Sequence, residues 1–70
     1  MSITASEIAV SRDLGNGNTY IEERHTDSVG GTHAVRYVAD ANTNTTTKLA
    51  EHAVQLAVDL ADQEAAQVIG

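Results

Sequence analysis

The stretch Thr45–Ile69, TTTKLAEHAVQLAVDLADQEAAQVI, decides the fold. At about 100° per residue, Leu49, Ala53, Leu56 and Leu60 fall on one stripe of a helix. Ala50, Val54, Ala57, Val58, Ala61, Ala65 and Val68 fall beside it. The apolar arc therefore spans roughly half the circumference, wider than the ~100° stripe of a helix that covers one core. Lys48, Glu51, His52, Gln55, Asp59, Asp62 and Gln63 take the opposite arc, and only Glu64 and Gln67 intrude on the apolar side. The leucine edge is bulky enough to fill space against a sheet. The Ala/Val edge is shallow, and small side chains let another backbone come close.

Two readings of that shallow edge compete. The plain one is a helix covering a single sheet, with alanines present because they are the best helix formers. The sharper one makes Ala50, Val54, Ala57, Val58, Ala61, Ala65 and Val68 an interface with another helix or subunit. The helix ends are legible as well. Asn42, Asn44 and Thr45 to Thr47 offer N-cap side chains for the first orphan N–H groups. Gly70 stands where a C′ glycine belongs. The charges run against the macrodipole, with Lys48 near the positive end and Asp62 and Glu64 toward the negative one. Tertiary or quaternary packing, rather than local propensity, is expected to hold this helix.

Upstream of the helix the period changes from helical to alternating. Ile8 and Val10 alternate with Ala9 and Ser11 in a first, half-buried strand. Leu14-Gly15-Asn16-Gly17-Asn18 is a turn cluster, because glycine and asparagine tolerate positive φ. Thr19 to Thr26 carries β-formers at Thr19, Tyr20 and Ile21. Asp27-Ser28-Val29-Gly30-Gly31 reads as a hairpin loop, and His33 to Ala39 alternates again. Pairing Thr26 with Thr32 sets Glu22 opposite Arg36, Ile21 opposite Tyr37 and Tyr20 opposite Val38. An ion pair and aromatic–aliphatic pairs in one register support one another. Asp40 to Thr47, DANTNTTT, is a polar connector.

The fold predicted is α+β: a three-stranded antiparallel meander followed by one long C-terminal amphipathic helix packed on the sheet. It is a single domain over residues 1–70, with strands at about 3–13, 19–26 and 32–39, a linker at 40–46 and the helix at about 46–69.

Composition narrows the function. A chain of 70 residues buries only ~60% of its unfolded surface, and such folds gain stability from disulfides, metal or oligomerisation. There are no cysteines, which closes the first route along with thiol catalysis. A formal net charge of −6 with four basic residues argues against direct nucleic-acid binding, since no phosphate-tracking patch can be built. It argues equally against anionic membrane surfaces. No apolar run approaches the ~18 residues of a membrane span, and no signal-peptide pattern opens the chain. The expected location is a host cytoplasm or a virion. With two tyrosines as the only aromatics, a small-molecule pocket has little to be lined with, and no cofactor is expected.

Candidate chemistry is sparse. His25 and His33 face each other across the hairpin and, with Asp27 or His52, are the candidates for a zinc site; structural or solvent-exposed histidines are the preferred reading. Two close imidazoles also suggest pH sensitivity. Glu22 and Glu23 point to opposite faces and cannot share a substrate, so a Glu22–Arg36 surface ion pair is expected instead. Ser28 lacks the spacing of a nucleophile elbow, and the glycine pairs lack the lysine of a phosphate loop. No catalytic residue is assigned. Asp40, Glu51, Asp59, Asp62 and Glu64 form a solvated acidic face.

Thr19-Tyr20-Ile21-Glu22-Glu23-Arg24-His25-Thr26-Asp27, the Gly30-Gly31 turn, His33-Ala34-Val35-Arg36-Tyr37-Val38-Ala39 and the Ala-rich helix together resemble small proteins encoded among the structural genes of tailed bacteriophages. The resemblance runs from Thr19 to Ile69. It implies a virion or assembly-associated protein and carries over no functional residue. The leading expectation is a non-enzymatic structural protein working through protein partners, as a homo-oligomer or within a larger assembly. The alternative is a small acidic inhibitor, of anti-defence or DNA-mimic type, that occupies a basic site on a host protein.

Overall fold

A computed structural model describes residues 2–69, with side chains through residue 65. The elements are β1 (Ile3–Gly15), β2 (Asn18–Asp27), β3 (Thr32–Ala39) and α1 (Thr45–Ile69). The strands form one antiparallel sheet in the order β1-β2-β3, and α1 lies across one face. Expected fold class and observed fold agree.

The first hairpin is tighter than the Leu14–Asn18 cluster suggested. Strand pairing continues to Gly15↔Asn18, leaving Asn16 and Gly17 as the two central residues. Their φ values, 56° and 78°, are both positive, as a type I′ turn demands and as Asn-Gly supplies best. The second hairpin pairs Thr26 with Thr32, Glu22 with Arg36, Ile21 with Tyr37 and Tyr20 with Val38. That is the register expected from the cross-strand pairs.

Strand β1 departs from the simple alternation. Its register shifts between Ile3 and Ala5, between Ile8 and Val10, and between Asp13 and Gly15. Ile8 pairs with Glu23 and Val10 with Glu22, so the central shift sends these two apolar side chains to opposite faces. Both stay exposed. The expectation that Ile8 and Val10 form one half-buried stripe is therefore corrected: a β-bulge inserts one residue and reverses the face of everything beyond it.

The helix begins one residue before the predicted start. Asn44 is its N-cap: its Oδ1 accepts from the Thr47 N–H at 3.1 Å, and its carbonyl accepts from the Lys48 N–H at 3.0 Å. The connector before it is built, not slack. Asp40 Oδ1 accepts from the Asn42 N–H and from the Thr43 hydroxyl, both at 2.9 Å. These bonds hold the Asp40 carboxyl below its ordinary value. Leu49, Ala53, Leu56, Ala57 and Leu60 turn toward the sheet, and α1 runs closest to β1. The backbone that exploits small helical side chains at Ala53 and Ala57 is thus the chain's own. The Gly70 cap and the side chains of Gln67 and Val68 lie outside the described residues.

The core is thin. Among the described residues, Ile21, Ala39 and Leu60 are the buried apolar side chains, and Glu23, His25 and Asp27 are buried with them. The molecule measures 49 × 19 × 17 Å, with a radius of gyration of 14.1 Å, against about 11 Å for a compact chain of this length.

Candidate functional site

The feature that stands out is a line of polar groups where apolar ones would be expected. On β2 the helix-facing positions are Ile21, Glu23, His25 and Asp27, all buried. Strand alternation places them on one face, and three of the four can ionise.

Glu23 is the centre of this line and is fully enclosed. His25 Nε2 lies 2.7 Å from its Oε1. His52, reaching down from α1, places Nδ1 at 2.9 Å from Oε1 and 3.0 Å from Oε2. On the far side of His25, Ser6 Oγ of β1 is 2.7 Å from Nδ1. With Glu23 ionised, one assignment satisfies the chain: Ser6 donates to His25 Nδ1, His25 Nε2–H donates to Glu23, and His52 Nδ1–H donates to Glu23. The network joins β1, β2 and α1, and β3 adds Tyr37. The Tyr37 ring meets His52 edge-on, with centroids 5.4 Å apart. Its hydroxyl is buried without a hydrogen bond of good geometry. Burial first, and the neighbouring Glu23 charge second, push that hydroxyl above the ordinary tyrosine value.

The placement of His52 corrects the helical-wheel reading. The wheel places it on the solvated arc, but it sits at the margin of the leucine stripe and turns inward. A buried carboxylate without partners is costly enough to recruit the donor on the helix flank.

A second cluster closes the β2–β3 hairpin. Asp27 Oδ1 accepts from the Val29 and Gly31 N–H groups at 3.0 and 2.8 Å, and Oδ2 accepts from His33 Nε2 at 2.9 Å. The His33 bond, with the two backbone donors, holds the Asp27 carboxyl below its ordinary range despite burial. A side chain at Gly31 would push the Asp27 carboxylate off its partners, because a Cβ there would lie 2.6 Å from Asp27 Oδ2.

His25 and His33 are register partners, as expected, yet each is engaged elsewhere, with Ser6 and Glu23 in one case and Asp27 in the other. Among the described residues no three His, Asp or Glu side chains are arranged to hold a metal ion. Ser6–His25–Glu23 has the connectivity of a nucleophile, a base and an orienting acid. However, His25 is fully enclosed. The nearby depression of about 250 Å³, lined by Ala5, Ser6, Glu7, Arg24 and Thr26, belongs to the outer face, where the Ser6 hydroxyl does not point. The arrangement is suited to fixing the helix on the sheet.

The outer face is a field of paired charges. Arg24 reaches Glu7 at 3.0 Å, Arg36 reaches Glu22 at 3.5 Å, Tyr20 donates to Glu22 at 3.2 Å, and Arg12 lies over the Tyr20 ring. The expected Glu22–Arg36 pair is present. Of the candidate interface residues, Ala57 is half-buried toward the sheet, whereas Ala50, Val54, Val58, Ala61 and Ala65 are exposed. Val54 keeps 67% and Val58 49% of its surface in solvent. No described helix is long and apolar enough to cross a membrane. Searches of protein-family models, curated proteins and solved structures find no match to this chain.

Proposed function

We propose that this chain is a non-enzymatic assembly subunit that completes its burial against other protein chains, as a homo-oligomer or within a larger particle. The observation that carries the reading is the imbalance of apolar surface. Three apolar side chains are buried among the described residues, while Val54, Val58, Val38, Val10 and Leu14 all stand at least 40% exposed. The accessible surface is 4668 Å², against about 4,200 Å² for a compact monomer of this mass. A chain that withholds this much from its own core gains by association. The resemblance to phage structural-region proteins fits the same role in a virion or its assembly line.

The outer sheet face, whose ions already have partners, is the least suited to a dry contact. The back of α1 and the sheet edges are the best suited. Light scattering across a concentration and salt series tests the reading. A mass above the monomer, with an unfolding temperature that rises with protein concentration, is the expected result. A stable monomer whose unfolding ignores concentration overturns it. A salt-sensitive one-to-one complex with a basic protein would then move the assignment to the acidic-inhibitor class.

A further inference from the structure

The two sheet edges are not equivalent. β1 is the longer edge, but its register breaks at three places, and bulges twist and blunt an edge against strand addition. β3 pairs with β2 over eight consecutive positions, Thr26↔Thr32 to Thr19↔Ala39, with no shift. Its other edge carries no proline, no lysine and one full charge, Arg36, which is already engaged by Glu22. The helix leans toward β1 and leaves His33, Val35 and Tyr37 half-buried along β3. Natural sheets protect edges, and this one protects only the first.

We infer that the free edge of β3 is the mating edge for a second copy of this chain, antiparallel about a two-fold axis at Val35. This rests on the assembly reading above and names its contact. The register follows from self-complementarity. Pairing Val35 with Val35 of the second copy sets Tyr37 opposite the other His33 and Arg36 opposite the other Ala34. Apolar and aromatic groups then meet on the helix side, and the two arginines are offset diagonally rather than directly opposed. Centring on Arg36 instead would oppose two like charges directly, which disfavours the pair. An odd register would put Arg36 of one copy beside Val35 of the other. Centring on Val35 keeps both helices on one face of a six-stranded sheet, as an isologous two-fold contact requires.

The size of the contact sets its strength. Seven paired residues, Thr32 to Val38, at about 3.4 Å rise against the molecule's smallest extent of 17 Å give a side face of at most roughly 400 Å² per copy. The total, about 800 Å², falls below the ~1,200–2,000 Å² of standard interfaces. The dimer is therefore weak and governed by concentration.

Amide hydrogen exchange on the unaltered protein, at two concentrations roughly a hundredfold apart, reads out the edge directly. Half of the β3 amides point away from β2. Those are expected to slow by about tenfold once nine-tenths of the chain is dimeric, while the outward amides of β1 do not change. Light scattering on the same samples separates the two claims. If mass rises with concentration but the slowed amides lie in β1, or in none of the strands, the assembly reading stands and the β3 assignment is overturned. If mass and exchange are both independent of concentration, both are overturned.

Discussion

Glu23 is the residue on which the helix is seated, and its neighbours define what it costs to disturb it. A buried carboxylate that loses one of its two imidazole partners is poorly compensated, so His25→Ala should cost about 3–5 kcal/mol, whereas replacing the pair together, Glu23→Leu with His25→Leu, should be near neutral or stabilising. Urea unfolding of the two variants compares them. Two comparable losses would show that the network contributes net stability and not only specificity. At Asp27 the matter is pH. Its folded value lies below the ordinary 3.8, so its contribution is present above that value and drains away as pH falls through the folded one. Asp40, lowered by Thr43 and Asn42, acts in the same sense. Acid unfolding of Asp27→Asn should therefore show a flatter loss below about pH 4 than the parent, leaving the Asp40 part. At this scale the sequence was readable in its alternation but not in its direction. That Glu22 and Glu23 face apart follows from a period of two. Which set faces in does not, because on β2 both sets are mostly polar and only Ile21 against Tyr20 marks a side.

The elements were legible where two independent constraints met in one stretch. The β2–β3 register is fixed by a charge pair and aromatic pairs that agree, whereas the first turn is placed by its glycine and asparagine cluster without its two central residues being singled out. The bulges of β1 had no such marker: Ile8-Ala9-Val10 looks like clean alternation, and the partner strand alone shows that it is broken. At the helix start, Asn42, Asn44 and three threonines all had the chemistry of a cap. The Asp40–Thr43 turn takes up the preceding residues and leaves Asn44 to serve. Asn44→Ala should then cost about 1 kcal/mol, seen as a lower unfolding midpoint, while Asn42→Ala, whose side chain is exposed, should cost far less. Equal effects would mean that the cap is shared. Tyr37 reports on how firmly the helix covers β3. Its ionisation is displaced upward, so the stability it represents is complete below the ordinary tyrosine value and is lost as pH rises through the folded one. In a Tyr20→Phe background, tyrosinate absorbance should appear only above pH 10 and coincide with unfolding. A free titration near 10 would show that α1 lifts readily from the sheet.

At the level of the whole molecule, one wide apolar arc on the helix resolves into two surfaces with different tasks. Ala53 and Ala57 face inward, where their size lets α1 settle close to β1, while Val54, Val58 and Ala61 look away from the chain altogether. A period of 3.6 set the width of the arc, but no pattern within it could mark the line between self-burial and exposure. Substitution by glutamate separates the two. Ala57→Glu forces a charge into the helix–sheet seam, and should lower stability by a few kcal/mol in whatever oligomeric state is present. Val58→Glu adds a charge to an exposed position and should leave the folded monomer within about 0.5 kcal/mol of the parent. If the back of the helix is also a contact, Val58→Glu will lower the solution mass at high concentration without changing the circular dichroism of the chain. If the mass is untouched while association persists, the helix back is ordinary solvent-facing surface. The assembly must then be carried at the sheet edge, with Val54 and Val58 no more than tolerated on a helix whose seat is Glu23.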